Sequence, residues 1–217
     1  MLNNNKIHFD MRKIFIGFGL LLLQACAVFG PSVKTSSENE NIKQSIVAYQ
    51  QGLNDKYQNP LTSPLKEEAT GFKGHSFFPI DLSYRVEATF TKLEEQEFFN
   101  IETSGPKNPA YRKFGYLDFS LEGKPFRLVL LQNRDNMRNP LYRNHLFLAF
   151  TDLTSGESSY GGGRYIDMTI PTDNKMVLDF NMSYNPYCAY TTGYSCPVPP
   201  EENFLEIAVE AGIKLEQ

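Results

Sequence analysis

Short segments in which apolar and polar residues alternate make up much of the chain beyond residue 84. Successive side chains of a β-strand point to opposite faces of the sheet, so this alternation predicts strands with one buried face. The turn Glu122-Gly123-Lys124 indicates a hairpin between two of them. The sequence therefore predicts a mainly β domain, an antiparallel sandwich or barrel of about eight strands. The segments that carry the pattern are residues 84–91, 117–122, 126–131, 146–150, 166–170, 176–180 and 205–209.

One segment before the strands has a helical period instead. Its apolar residues recur every three or four positions, which predicts a single N-terminal amphipathic helix. Asn39 or Asn41 is expected to cap its start, and Asn59-Pro60 is expected to end it. The apolar stripe either packs on its own domain, the interpretation that we favour, or binds a partner. Its residues are Ile42, Ile46, Tyr49, Leu53 and Tyr57.

The N-terminus resembles a secretion signal. Arg12 and Lys13 precede the apolar run Ile14–Leu23, which is shorter than the roughly 20 residues that span a bilayer. Leu23-Gln24-Ala25-Cys26 is similar to the bacterial lipoprotein signal, in which the cysteine is lipidated. The alternative is a plain secretory signal with an incidental cysteine. The true start is either Met1 or Met11.

This signal predicts how the chain is organised and where it resides. We expect a signal peptide at residues 1–25, a tether lipidated at Cys26 over residues 26–40, and a single β-rich domain over residues 41–217. The expected location is the bacterial cell envelope, with the protein held on the membrane by its lipid and facing the periplasm. A formal net charge of -4 argues against a nucleic-acid partner, because such proteins need a basic surface.

Cys188 and Cys196 are the two cysteines that remain once Cys26 is lipidated. In an oxidising compartment an even pair favours a disulfide. A metal pair or a reactive Cys188 stays as an alternative, although no further cysteine or clustered histidine accompanies them. We predict no metal site and no cofactor.

Two aspartates are predicted to face each other. If residues 171–175 form a hairpin loop, Met168 pairs with Leu178, the apolar faces agree, and Asp167 lies opposite Asp179. Directly opposed like charges destabilise a sheet, so some group must compensate. Arg164, Arg85, a cation or a raised pKa on one acid would do so.

A glycine run and a loop rich in Asn and Tyr complete the candidate site. Gly161–Gly163 precedes a predicted strand, which favours a bulge or tight turn over a phosphate loop. The alternative is a backbone brought close to a ligand, with Arg164 as an anion clamp. Asn and Tyr side chains around the cysteines could bind sugars or peptides, or could serve local turns. The ligand-binding candidates are Arg164, Asp167, Asp179, Asn181, Asn185 and Tyr190.

Several of these motifs together resemble the bacterial family of domains of unknown function 1684. The resemblance extends over about residues 45–214 and indicates a short, lipoprotein-type member. It implies no activity, because the family has no established biochemistry. The motifs are Gly161–Gly163 before Arg164-Tyr165-Ile166, Asp179-Phe180-Asn181, Asn185-Pro186-Tyr187-Cys188-Ala189-Tyr190, and Cys196-Pro197-Val198-Pro199-Pro200, with Gly74, Phe77-Phe78-Pro79 and Tyr84-Arg85-Val86 upstream, and Asn203, Ala211-Gly212 and Lys214 at the C-terminal end.

Two classes of function remain open from the sequence. The first, which we favour, is a non-catalytic module that binds a small molecule, glycan or peptide or serves a structural role. The second is an envelope hydrolase that uses Asp167 or Asp179 beside Arg164. The sequence holds no G-x-S-x-G, H-E-x-x-H or Walker motif, so no catalytic residue is assigned.

Overall fold

The computed structural model of the chain describes residues 35–215. The predicted signal peptide, Cys26 and most of the predicted tether lie outside the described residues. Helix α1 occupies Ser36–Gln58, and Thr35 caps it by accepting a hydrogen bond from the Glu38 amide. The helix thus begins earlier than the Asn39 or Asn41 cap predicted, because Thr35 provides the capping hydroxyl. It ends at the predicted Asn59-Pro60 step.

Eight strands follow the helix within the described residues. The mainly β, antiparallel class with one helix near the N-terminus is confirmed, and the sheet curls into a half-barrel. The strands are β1 (Arg85–Lys92), β2 (Phe98–Asn100), β3 (Ala110–Leu121), β4 (Lys124–Asn133), β5 (His145–Asp152), β6 (Arg164–Thr169), β7 (Lys175–Asp179) and β8 (Phe204–Leu205).

The strand order along the sheet is β6-β5-β4-β3-β1-β7, with β2 beside β3. Strands β3 and β4 form the predicted hairpin, in which Leu121 pairs with Lys124. The two residues between them, Glu122 and Gly123, have φ of 49° and 76°. Two consecutive positive φ angles give the turn whose twist matches that of the flanking strands. The short β8 runs parallel to β5.

The predicted pairing of β6 with β7 is wrong. Strand β7 pairs with β1, so Asp179 lies opposite Arg85, while Asp167 on β6 lies opposite Phe147. The alternation pattern could not distinguish pairing with β6 from pairing with β1. Leu178 would lie opposite the apolar Met168 in the first arrangement and lies opposite the apolar Val86 in the second, which is the one observed. Opposite charges at Asp179 and Arg85 favour the observed register.

The connection between β6 and β7 explains the curl of the sheet. These strands stand at opposite ends of the strand order, yet only residues 170–174 join them. Five residues reach at most about 20 Å, so the two ends of the sheet must approach each other. A cleft of about 260 Å³ separates them, and both Asp167 and Asp179 line it.

Two groups of apolar side chains stabilise the sheet. The larger includes Leu117, Leu128, Leu148, Phe150 and Phe180, all fully buried or nearly so. The smaller group leads towards the candidate site, because three of its rings, Tyr111, Phe147 and Tyr165, also line the main cavity. Its members are Ile101, Tyr111, Val129, Leu131, Phe147, Ala149 and Tyr165.

Helix α1 packs against this domain through its apolar stripe. Ile46 is fully buried and Tyr57 is 3% exposed, whereas Tyr49 and Leu53 are partly buried and line the cavity. The stripe is therefore used within the chain, as the favoured interpretation expected. Its middle residues supply one wall of the site.

Candidate functional site

The main cavity lies between α1, the edge of the sheet and the disulfide loop, and its volume is about 420 Å³. Helix α1 contributes Leu53 and Lys56, β5 contributes His145, and β6 contributes Asp167. A volume in this range suits a small ligand. The lining is largely aromatic and contains eight tyrosines, namely Tyr49, Tyr57, Tyr111, Tyr165, Tyr184, Tyr187, Tyr190 and Tyr194.

A disulfide holds one wall of the cavity. Cys188 and Cys196 are bonded, with their Cα atoms 6.3 Å apart, as the favoured interpretation predicted. The Tyr194 hydroxyl within the loop donates to the Pro64 carbonyl at 3.2 Å. The Cys196 amide donates to Ser104 Oγ at 3.2 Å. Cross-linking and hydrogen bonding together limit the freedom of this wall.

A polar cluster forms around Asp167 on the opposite wall. Asp167 Oδ1 accepts from the Tyr184 hydroxyl at 2.9 Å and lies 2.8 Å from His145 Nε2. Burial raises the pKa of Tyr184 well above its ordinary value, and the charge of Asp167 acts in the same direction, so Tyr184 stays a donor. Asn136 Nδ2 lies 3.4 Å from His145 Nδ1, so both ring nitrogens are engaged. This arrangement orients the carboxylate rather than presenting a free base.

His75 packs among aromatic rings at the cavity wall. Its ring centroid is 4.4 Å from that of Tyr57 and 4.7 Å from that of Phe72, both in edge-on geometry. Its Nδ1 is buried and has no hydrogen-bond partner within residues 35–215. Burial lowers the pKa of His75 to about 4, so the imidazole is neutral at pH 7.

This lowered pKa predicts a loss of stability in acid. Between about pH 4 and 6.5 the unfolded chain binds the His75 proton more readily than the folded chain, so stability falls as pH falls through that range. Because part of the His75 side chain reaches solvent, we expect this group to lower the free energy of unfolding by about 2 kcal/mol, less than the whole pKa shift would give. His75→Phe keeps a ring among Tyr57 and Phe72 but cannot titrate. Urea unfolding measures the free energy of unfolding at pH 7 and at pH 4. Its decrease between the two pH values should be smaller in His75→Phe than in the natural chain by this amount. Equal drops in both proteins would contradict the burial argument.

Three of the six candidate residues line the main cavity, namely Asp167, Asn185 and Tyr190. Asn185 is 3% exposed, and its Nδ2 donates to the Tyr190 hydroxyl at 2.9 Å. The Asn185 Oδ1 atom is buried, and no residue in the described part of the chain hydrogen-bonds to it. The ring of Tyr190 packs edge-on against Tyr57 at 5.3 Å. These residues face the space that a ligand would occupy.

Arg164 is not placed to bind an anionic ligand, as the sequence analysis had considered. Its side chain is fully buried, and Nη2 contacts Asp152 Oδ2 at 2.7 Å. The same guanidinium donates to the carbonyls of Val209, Ala211 and Ile213. Those carbonyls belong to the described C-terminal residues 204–215, in which β8 is the short strand Phe204–Leu205. Arg164 therefore links residues 209–213 to β6, in which it lies, and to Asp152 at the end of β5.

Asp179 and Asn181 support a turn. Asp179 is 6% exposed and accepts from Arg85 Nη1 at 3.4 Å. It also accepts from the backbone amide and Nδ2 of Asn181, at 3.0 and 2.9 Å. Fully buried Asn181 exchanges two further bonds with the backbone of Asp81. These contacts use the polar atoms that a ligand would otherwise need.

The glycine run forms the tight turn that sequence favoured. Gly163 has φ of 85°, and a Cβ there would lie 2.6 Å from the Phe150 carbonyl oxygen. A side chain would be strained by the backbone angle and would clash with that strand. The glycine thus allows β6 to begin close beside β5.

Comparison with known proteins identifies the chain. Residues 70–214 match the family described as proteins of unknown function, DUF1684. The chain belongs to this family. It is also similar to the uncharacterized protein from gene locus rrnAC0354 of Haloarcula marismortui, known from a solution NMR structure, with 35% identity and a TM-score of 0.65. The match covers 83% of this chain and 98% of that protein. No curated protein matches the chain.

The cavity of this DUF1684 protein is also lined by residues that were not among the six ligand-binding candidates chosen from sequence. Tyr49, Tyr111, His145 and Tyr184 reach the cavity from α1, β3, β5 and the segment after β7. His145 is the first residue of β5 and follows a loop that contains Arg134, Arg138 and Arg143. Its pairing with Asp167 across β5 and β6 depends on tertiary structure, which no local pattern indicates.

Two features are absent from residues 35–215. None of the helices there has the length and apolar character needed to cross a membrane. Over the same residues, no group of three or more His, Cys, Asp or Glu side chains is placed to hold a metal ion.

Proposed function

We propose that this DUF1684 protein is a lipid-anchored protein of the cell envelope whose domain binds a small ligand in the tyrosine-lined cavity. The observation that carries the binding role is the cavity itself. It brings Asp167, Asn185 and Tyr190 together in about 420 Å³ of largely aromatic space. Ligand sites typically combine such apolar walls with a few placed polar groups.

Binding fits the geometry better than the hydrolase alternative does. That alternative needs Arg164 beside Asp167 or Asp179 in a cleft, but the guanidinium of Arg164 is fully buried and bonded to Asp152. Asp179 is held by Arg85 and Asn181. Although both aspartates line the smaller cleft, Asp179 has little exposed surface with which to meet a substrate.

Blocking the cavity tests the binding role. Ligand-observed NMR of the full chain with a panel of neutral, cationic and anionic ring compounds should detect at least one binder. Leu53→Trp fills the cavity from α1 and should abolish that signal. Val47→Trp is the matched control, because Val47 lies on the same helix and is 55% exposed. Absence of any binder, or binding that survives Leu53→Trp, would overturn the proposal.

The membrane anchor is tested separately. Its support is the sequence Leu23-Gln24-Ala25-Cys26 after an apolar run, together with the disulfide, which is typical of oxidising compartments. The full chain produced in bacteria should incorporate radiolabelled palmitate, and Cys26→Ser should not. The double variant Cys188→Ser and Cys196→Ser should keep the label. Label retained in Cys26→Ser would contradict anchoring at this residue.

A further inference from the structure

Two residues that line the cavity each carry a buried polar atom that has no hydrogen-bond partner among the described residues. The atoms are Asn185 Oδ1 and His75 Nδ1. A buried polar atom without a hydrogen bond costs about 1–3 kcal/mol, so such atoms mark where a ligand can restore bonding. Asn185 Nδ2 is already used by Tyr190, so the free end of this amide is an acceptor.

The two atoms together favour a hydroxyl group on the ligand. Asn185 Oδ1 requires a donor. His75 is uncharged at neutral pH, and a neutral imidazole nitrogen is a donor or an acceptor according to its tautomer. A hydroxyl both donates and accepts, so a ligand with several hydroxyls satisfies both atoms.

The charges on the cavity wall favour a neutral ligand. The Lys56 ammonium donates to the Tyr187 hydroxyl at 2.7 Å and lies 5.2 Å from the centre of that ring. Asp167 is held by His145 and Tyr184. Lys56 would repel a cation at the tyrosines, and Asp167 would repel an anion at the opposite wall, so a neutral ligand avoids both repulsions.

The tyrosines supply the apolar contact surface. Tyr57 and Tyr190 meet at an interplanar angle of 74°, and Tyr187 and Tyr194 meet at 64°. Tyr187, Tyr190 and Tyr194 are each partly exposed, so these three rings, unlike the almost fully buried Tyr57, keep surface for a ligand. Tyrosine offers an apolar face and a polar tip, which suits a ring with C–H groups on its face and hydroxyls at its edge.

We propose that the cavity binds a neutral saccharide unit. The sugar ring stacks on the tyrosines, and its hydroxyls bond to Asn185 Oδ1 and His75 Nδ1. This assignment rests on the proposed function, because it names the ligand class of the same cavity.

A matched series of probes tests the ligand class on the unmodified chain. Methyl N-acetyl-β-glucosaminide is neutral, methyl β-glucosaminide is cationic, methyl β-glucuronide is anionic, and tetrahydropyran has a ring without hydroxyls. Titration calorimetry should give the neutral sugar at least tenfold tighter binding than the other three. Equal or tighter binding of a charged probe or of tetrahydropyran would overturn the saccharide assignment while leaving a binding cavity. No binding by any probe, or sugar binding that survives Leu53→Trp, would count against the proposed function as well.

Two variants test the contacts themselves. Asn185→Leu and His75→Phe should each weaken binding of the neutral sugar about tenfold, the effect of one lost hydrogen bond. Asn174→Leu, at an exposed position outside the lining, should leave binding unchanged. Circular dichroism would first show that each variant is folded. Unchanged affinity in a folded Asn185→Leu or His75→Phe protein would overturn the assignment, and the probe series remains decisive if either variant fails to fold.

Discussion

Replacing Arg164 with methionine should lower the free energy of unfolding by about 3–5 kcal/mol, the usual cost of removing one partner of a buried ion pair. Methionine keeps much of the side-chain volume, so the loss comes from the charge and its bonds. Asp152 is 2% exposed, and its Oδ2 would lose the guanidinium. The carbonyls of residues 209, 211 and 213 would lose their donor as well. Urea unfolding followed by circular dichroism measures the change.

The exposed pair of Arg127 and Asp118 provides the control. Its side chains are 62% and 37% exposed, so Arg127→Met should leave the free energy of unfolding nearly unchanged. The double variant Arg164→Met and Asp152→Asn should be more stable than Arg164→Met alone, because it no longer buries an unpaired charge. An Arg164→Met protein as stable as the natural chain would mean that the C-terminal segment is held without this side chain.

The strands were predictable from sequence because backbone geometry alone sets the alternation of side chains along a strand. Pairing was not predictable in the same way. Leu178 finds an apolar neighbour whether β7 pairs with β6 or with β1, so the pattern does not choose between them. The Arg85–Asp179 ion pair favours pairing of β7 with β1. It can be recognised only when β1 and β7 are already known to be adjacent. The turn at Glu122-Gly123 was predictable because its conformation depends on local residues.

The site was predictable where it is local. Asn185, Tyr190 and the disulfide between Cys188 and Cys196 lie within one short stretch of sequence, so their proximity in space follows from their proximity in sequence. Asp167 was selected on the expectation that it opposes Asp179, yet its contacts are His145 and Tyr184. The burial of an arginine such as Arg164 depends on acceptors more than 40 residues away at the chain end, which a sequence pattern does not reveal.

Asn203 is the second residue whose loss should be severe, because its side chain joins two strands. It is fully buried, and its Oδ1 accepts from the Val129 amide at 2.7 Å. Its Nδ2 donates to the carbonyls of Val129 and Ala149 at 3.0 and 2.8 Å. Asn203→Ala leaves three buried backbone groups on β4 and β5 without these bonds. We expect the free energy of unfolding to fall by about 3–4 kcal/mol.

Hydrogen exchange separates this mechanism from a general loss of packing. The Val129 amide should exchange faster in Asn203→Ala than the decrease in global stability alone requires, because its acceptor is gone. Asn108→Ala, at an exposed position, should change stability by less than about 0.5 kcal/mol. If Asn203→Ala costs under about 1 kcal/mol and Val129 stays protected, water replaces the amide and the strands do not need it. If the prediction holds, Asn203 stabilises the part of the sheet from which Phe147 and Asp167 reach the cavity, so this buried amide also supports the geometry of the site.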